Sequence, residues 1–135
     1  MMERQTFTFT KEERLCRRAV ISRLFESGSR SFSHFPLRVV FMPVAREEQK
    51  PPVSILVSVP KKHFKRAVKR NRVKRQVRES YRKSKHILWE ALEGKSFGLA
   101  VAFIWLDKTL YPSEEIESKM RLLLERIVEK TRVFS

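Results

Sequence analysis

The sequence predicts an α/β (α+β) two-layer sandwich, in which a sheet of about four strands packs against helices. Segments with the two-residue period of half-buried strands alternate with segments that have the 3.6-residue period of amphipathic helices. The 135 residues, 41% of them hydrophobic, suit a single domain over residues 1–135 with one packed core. The predicted order is helix, strand, strand, basic helix, strand, helix, with room for one further strand before the basic helix.

The first helix is predicted from a capping signal and a periodic apolar pattern. Thr10 and Glu13 have the spacing of a capping box, so we expect a helix to begin near Lys11. Apolar residues then recur at roughly helical spacing from Leu15 to Phe25, and Gly28 is a plausible end.

Two strands are expected next. Residues 35–44 are rich in β-branched and aromatic side chains, and Pro36 belongs at a strand start or on an edge because it lacks an N–H donor. Residues 46–52 are polar and end in a proline pair, which favours a hairpin-like loop. Residues 53–59 alternate strictly between valine or isoleucine and other residues, which is typical of a half-buried strand ended by Pro60.

The second half of the chain is predicted to form a long helix, a buried strand and a last helix. The long helix is expected from about Phe64 to about Glu93, with a break near Ser84, and its apolar stripe consists of Val73, Val77, Tyr81 and Leu88. Residues 97–106 form a nearly continuous apolar run, which favours a central strand. Ser113 is expected to cap the last helix, whose apolar face is Ile116, Met120, Leu123, Leu124 and Ile127.

Positive charge is concentrated in one part of the chain. Residues 61–86, called the basic segment below, hold thirteen Lys and Arg and one acid, a net charge of +12. The other 109 residues hold 17 basic and 14 acidic groups, a net charge of +3. On a helical wheel Asn71, Arg75, Arg78 and Arg82 form one row, with Arg72 and Lys83 beside it. The alternative is that these cations only form a solvated helix face. However, so many like charges in one segment repel each other, and this favours a surface that binds a polyanion.

The sequence offers no pattern for a catalytic or metal site in the protein itself. Cys16 stands alone, so we expect no disulfide and interpret it as a partly buried residue without a catalytic role. The three histidines, His34, His63 and His86, lack ligand spacing, and there is no glycine-rich phosphate loop. The paired acids lie in expected helix starts and a loop, so they give no convincing set of metal-binding carboxylates.

We also expect a soluble, cytoplasmic protein with no membrane partner. The first ten residues contain no apolar run of signal-peptide length. No segment approaches the roughly 20 apolar residues of a membrane-spanning helix.

The segment from Lys61 to Arg82 resembles the signature of the bacterial ribonuclease P protein family. It has a strand ending in two lysines, a spacer, Ala67-Val68, and then the core Arg70-Asn71-Arg72-Val73-Lys74-Arg75. Arg14-Leu15 with Leu24-Phe25, Val57 to Lys62, and Ala100 to Trp105 also resemble family segments, so the resemblance covers about residues 11–127. Many members have glycine in the spacer, where this chain has residues 63–66.

The resemblance implies a protein subunit of a ribonucleoprotein whose RNA subunit cuts the 5′ leader from precursor tRNA. The RNA would perform the hydrolysis with Mg²⁺, and the protein alone would hold no cofactor and no catalytic residue. The residues implied to contact ribonuclease P RNA are Lys61, Lys62, Lys65, Arg66, Arg70, Asn71, Arg72, Lys74, Arg75, Arg78 and Arg82. For Asn71 the alternative is a local polar contact within the protein.

A cleft between the first helix and the sheet is implied to hold the single-stranded leader. Its candidate residues are Ile21, Phe25, Phe35, Arg38 and Val40, with Lys61 and Lys62 nearby. For Ile21 and Phe25, packing in the core is an equally good interpretation. The family also implies a left-handed crossover through the basic helix, where general rules favour a right-handed one.

Two other functions remain open from the residues alone. A structural RNA-binding protein of ribosomal type would share the charge and the fold class, but it would not require the Arg-Asn-Arg register. A DNA-binding protein with its basic helix in a major groove ranks last, because the sequence shows neither a partner helix-turn-helix nor a dimer seam.

Overall fold

The computed structural model describes residues 9–26 and 29–132. A 3-10 turn, Lys11–Glu13, precedes four helices and four strands. In chain order these are α1 (Arg18–Leu24), β1 (Arg30–His34), β2 (Leu37–Ala45), β3 (Val53–Ser58), α2 (Ala67–Ser84), α3 (His86–Ala91), β4 (Phe97–Trp105) and α4 (Ser113–Thr131). The mixed α+β class and the four-stranded sheet are therefore confirmed.

The sheet has the strand order β1-β2-β4-β3. β2 is antiparallel to both β1 and β4, whereas β3 runs parallel to β4. A parallel neighbour requires a crossover, which α2 and α3 provide between β3 and β4. The apolar run predicted as a central strand forms β4, which lies between β2 and β3 and is buried along nearly its whole length. The handedness of the crossover stays a prediction.

One face of the sheet, called the first face, carries the main core. The expected stripe of α2 and α3 packs there, and Val73, Val77, Tyr81 and Leu88 are all fully buried. The five apolar residues predicted for α4 are buried against the same face. Gln76 on α2 donates hydrogen bonds to the Tyr111 carbonyl (3.0 Å) and the Ser113 hydroxyl (3.1 Å), which ties α2 to the start of α4. The sheet and the layer of helices on its first face thus account for most of the core.

The opposite, second face of the sheet is covered in part by α1. Leu24 is fully buried there above Ala100 and Ala102 of β4. The small alanine side chains let α1 approach the sheet closely. α1 is only seven residues long, so part of the second face remains open beside it.

The chain before α1 differs from the prediction of a helix that begins near Lys11. Thr10 and Glu13 do pair as a capping box, but the helical turn ends at Glu13. The backbone then extends along the edge of the sheet, where Arg14 bridges Ile55 and the Leu15 N–H donates to the Ile55 carbonyl at 2.8 Å. Tertiary pairing with β3 outweighs the local signal. The expected stop at Gly28 lies outside the described residues.

Two expectations for the strands were incomplete or wrong. β1 was not predicted as a separate strand, because residues 30–34 are polar and partly exposed at the edge; the turn at Phe35-Pro36 joins it to β2. Residues 46–52 do not close a hairpin, since β4 lies between β2 and β3. The loop crosses the end of β4, where the Leu99 N–H donates to the Pro52 carbonyl at 2.8 Å. A Cβ on Gly98 would lie only 2.6 Å from that carbonyl oxygen, which explains glycine there.

Two helix boundaries also differ slightly from the sequence prediction. The basic helix begins at Ala67, three residues after Phe64, and its expected break near Ser84 is confirmed. Ser113 is the first residue of α4 and not its cap, because Pro112 occupies the N-cap position. Among the helices of residues 9–26 and 29–132, none is long and apolar enough to cross a membrane.

Candidate nucleic-acid interface

The predicted row of basic residues lies on the exposed side of α2. Asn71, Arg72 and Arg75 are exposed, whereas Arg78 and Arg82 are partly buried. This follows from helical periodicity, because the opposite side of α2 packs on the sheet through its buried valines and tyrosine. The Asn71 side chain makes no hydrogen bond to any residue that the structure describes. The alternative of a local polar contact for Asn71 therefore has no support in the structure.

Other cations near the end of α2 already have acidic partners. Arg82 pairs with Glu79 one turn earlier, and hydrogen bonding to Arg82 lowers the pKa of Glu79. Lys83 pairs with Glu117 of α4 at 3.0 Å. Each pair joins one half-exposed side chain to one partly buried side chain, and surface contacts of this kind contribute little to stability, so a phosphate could replace the carboxylates at small cost.

Arg70 has a structural role as well as a charge. Its Nη1 donates to the carbonyls of Phe64 (2.8 Å) and Lys65 (2.9 Å), just before α2 begins. Phe64 itself is buried, so the turn is fixed both by the Arg70 hydrogen bonds and by packing of the Phe64 side chain. By helical periodicity Arg70 and Lys74 lie beside the apolar stripe of α2, and both residues are partly buried.

The turn that leads into α2 presents further cations. The His63 N–H donates to the Pro60 carbonyl at 3.1 Å, which closes the turn without the glycine that many family members have. Lys61, Lys62, Lys65 and Arg66 are all exposed around it. The structure thus places these four cations next to the row on α2, and RNA contact by any of them stays a prediction.

The candidate leader-binding residues differ in how much surface they offer. Phe25 at the end of α1 is 50% exposed and Phe35 in the β1–β2 turn is 57% exposed, unusual values for phenylalanine. Arg38 is exposed and donates a long hydrogen bond to Ser31 (3.4 Å). Ile21 packs partly against the cluster on the second face, and Val40 is only 4% exposed within it. Phe25, Phe35 and Arg38 can therefore contact a ligand directly, while Val40 supports the floor.

A groove of about 610 Å³ on the second face was not predicted from the sequence. It lies between the chain before α1 and the loop from β2 to β3, and its basic lining residues are Lys11, Arg14, Arg17, Arg23, Arg46 and Lys50. Arg17 reaches the loop through an ion pair with Glu47 at 2.9 Å. These residues come from separate segments without a shared period, so no sequence signal brought them together. Cys16 also lines the groove and is exposed, contrary to the expectation of partial burial.

Acidic and metal-binding side chains do not converge in the described ranges. No group of three or more His, Cys, Asp or Glu there could hold a metal ion. Glu13 is buried in an ion pair with Lys85 (2.9 Å), and Glu47 pairs with Arg17.

The architecture and the clustered charge define a small, strongly basic α+β protein with an exposed arginine-rich helix beside a half-covered sheet. Comparison with known proteins identifies the family. The Ribonuclease P family profile matches residues 9–128, and the chain belongs to that family.

Relatives and solved structures agree with this assignment. A "Ribonuclease P protein component" from Porphyromonas gingivalis is 43% identical over 122 residues, which cover 90% of this chain and 88% of the relative. Another from Chlorobaculum tepidum is 39% identical over 94 residues, covering 68% and 60% of the two chains. The RNase P protein from Thermotoga maritima has a similar fold, with a TM-score of 0.66 at 23% identity over 84% of this chain and 96% of that one.

Proposed function

We propose that this chain is the protein subunit of ribonuclease P in the bacterial cytoplasm. It would bind the catalytic RNA and the 5′ leader of precursor tRNA, and so promote endonucleolytic removal of the leader. The observation that supports this most strongly is the exposed face of α2, where Asn71, Arg72 and Arg75 of the family core point to solvent. Family membership agrees with this reading.

The protein would act through binding and not through bond cleavage. Arginine guanidinium groups can contact phosphates in a bidentate manner, and each neutralised phosphate releases counterions. The basic segment would therefore offset the repulsion between the RNA subunit and its RNA substrate. The Mg²⁺ ions of the holoenzyme, held by RNA, would supply the activated water. Less Mg²⁺ should be needed when the protein is present.

The leader would lie on the second face beside α1. Single-stranded RNA binds well to shallow surfaces that combine aromatic rings with cations. Phe25 and Phe35 provide exposed rings, and Arg38 with the Lys61-Lys62 turn provides charge. Such a grip would raise the affinity for precursor tRNA above that for mature tRNA.

The test is cleavage of a precursor tRNA by bacterial ribonuclease P RNA at low Mg²⁺, with and without this protein. The informative variant is Arg72→Gln/Arg75→Gln, because both side chains are exposed and neither pairs with an acid in the described part of the chain. Arg70 is left intact because it fixes the turn before α2. The matched control is Arg121→Gln/Arg126→Gln, which removes two exposed arginines from α4.

Leader removal that requires the protein, and that falls in the α2 variant but not in the α4 control, would support the proposal. Tight RNA binding without stimulation of a cognate RNA would favour a structural RNA-binding protein. If the holoenzyme bound precursor tRNA and leaderless tRNA with equal affinity, the proposed leader contact would be disproved, but the proposed contact with the RNA subunit would not. Competition by duplex DNA as strong as that by structured RNA would revive the DNA-binding alternative.

A further inference from the structure

Two arginines from different parts of the chain converge at the edge of the sheet beside α2. Arg14 lies in the extended segment that bridges Ile55 of β3. Its guanidinium sits over the Phe9 ring, 5.9 Å from the centroid, and that ring packs edge-on against Tyr81 at 6.2 Å. Tyr81 is one turn after Arg78 on α2. Arg14 therefore lies beside the Phe9–Tyr81 ring pair, close enough to α2 for its charge to act on Arg78.

Neither guanidinium is neutralised by an acid among the residues that the structure describes. Arg14 and Arg78 form no ion pair there. Of the acids close to Arg14 in sequence, Glu13 is buried against Lys85, and Glu12 is exposed without an ion pair. Arg82, one turn beyond Arg78, has Glu79 as its partner. Arg82 and Lys85 are thus paired, whereas Arg14 and Arg78 have no acidic partner in the described part of the chain.

The proximity of two like charges is unfavourable in the absence of an anion. Burial lowers the pKa of Arg78, and the positive charge of Arg14 lowers it further. Pairing with β3 fixes the backbone of Arg14, and its guanidinium lies over the Phe9 ring on the same edge of the sheet. A bound anion between the two groups would turn this repulsion into two favourable contacts.

We propose that Arg14 and Arg78 form a clamp for one phosphodiester group of the RNA subunit, which extends the RNA interface from α2 to the segment before α1. This inference rests on the proposed function. The RNA subunit is favoured over the leader because Arg78, although partly buried, belongs to the basic row of α2. The candidate leader residues, by contrast, lie on α1 and β2. Arg14 also borders the groove on the second face, so the experiment must distinguish the two RNAs.

The test measures binding of the full chain to ribonuclease P RNA without substrate, at several salt concentrations. We expect Arg14→Gln to weaken binding about tenfold. The slope of log affinity against log salt should also become shallower by about 0.7–0.9, because one phosphate contact is lost. The matched control is Arg126→Gln, since Arg126 also stacks on a phenylalanine ring, Phe32, at 5.0 Å. It lies on α4 near the opposite edge strand, and we expect less than a twofold change there.

A double-mutant cycle tests whether the two arginines hold the same phosphate. The variant Arg14→Gln/Arg78→Gln should lose less affinity than the product of the two single losses, because either single change already breaks the shared clamp. Equal effects of Arg14→Gln and Arg126→Gln would overturn the proposal, as would strictly multiplicative losses. So would a loss that appears only with leader-bearing substrate. If the unmodified protein does not bind the RNA, the proposed function fails instead. Thermal unfolding of each variant without RNA excludes misfolding.

Discussion

A buried ion pair between Glu13 and Lys85 joins the chain before α1 to the junction of α2 and α3. The side chains are 1% and 3% exposed, and the distance between Lys85 Nζ and Glu13 Oε1 is 2.9 Å. Glu13 also accepts hydrogen bonds from the Thr10 N–H (2.6 Å) and hydroxyl (3.0 Å), and Lys85 lies 4.6 Å from the centre of the Trp89 ring. Buried charges with several partners cost little while all partners remain.

Removal of one member of this pair should be costly. We expect Lys85→Met to lower the free energy of unfolding by about 3–5 kcal/mol, because it leaves the Glu13 carboxylate buried without its cation. Urea unfolding would measure it. Lys83→Met is the control, since the Lys83–Glu117 pair lies at the surface, with side chains 50% and 22% exposed, and should contribute at most about 1 kcal/mol. The double variant Glu13→Gln/Lys85→Met should be more stable than Lys85→Met; if it is not, the unpaired charge is not the cause.

The hydrogen bond from the Tyr111 hydroxyl to Asp107 (2.6 Å) should make stability depend on pH. It lowers the pKa of Asp107 and raises the pKa of Tyr111 from 10.0 to about 12. The stabilisation from Asp107 is present above the pKa of the unfolded carboxyl, about 4, and is lost as the pH falls through the lower folded pKa. The stabilisation from Tyr111 is lost as the pH rises from 10 towards 12.

We therefore expect the stability difference between the unmodified protein and Tyr111→Phe to be constant near neutral pH and to shrink below about pH 4. Phenylalanine keeps the edge-on contact with Trp105 (5.4 Å), so the variant isolates the hydroxyl. Urea unfolding from about pH 3 to pH 7 measures the difference. A difference that grows on acidification would contradict this sign.

At the scale of the element, α2 serves two purposes through its two sides. Its buried side holds the sheet, and its exposed side carries the cations. Arg70 belongs to both, because it is part of the Arg-Asn-Arg core and also donates to the Phe64 and Lys65 carbonyls. A family signature residue can thus be required for the fold as well as for binding.

Measurements of stability and of RNA affinity on the same variants should separate the role of Arg70 in the fold from its role in binding. We expect Arg70→Gln to lower the free energy of unfolding by about 1 kcal/mol, through loss of charged hydrogen bonds at a partly exposed site. Arg72→Gln should stay within about 0.5 kcal/mol, because its side chain is exposed and unpaired in the described chain. Both should weaken RNA binding. Thermal or urea unfolding of the two variants side by side gives the answer, and equal stability would show that the Arg70 contacts contribute nothing.

Elements with a strong internal period could be predicted, and elements fixed by distant contacts could not. The alternation of β3 and the apolar faces of α2 and α4 were read correctly because burial imposes those periods. The extended segment at Arg14 was missed since its partner, Ile55, is about forty residues away. The same reason applies to the site: the row on α2 was predictable, whereas the Arg14–Arg78 pair and the groove depend on tertiary placement.

At the scale of the whole molecule, the net charge of +15 must oppose folding. Folding holds the cations of the basic segment close together along the turn and α2, whereas the unfolded chain can spread them apart. The ion pairs at the surface of the described chain are at least partly exposed and compensate only weakly, whereas Glu13–Lys85 is buried. The free protein should therefore be less stable than its core alone would make it.

Salt should relieve this repulsion and stabilise the free protein. Raising NaCl from about 0.01 M to about 0.15 M shortens the screening length from roughly 30 Å to roughly 8 Å. We expect the melting temperature to rise over this range, because screening weakens the many repulsions more than the few exposed ion pairs. Arg72→Gln/Arg75→Gln, with two fewer charges, should show a smaller rise. A melting temperature that stays constant or falls with salt would mean that the ion pairs dominate, and that the basic surface costs the fold nothing in the absence of RNA.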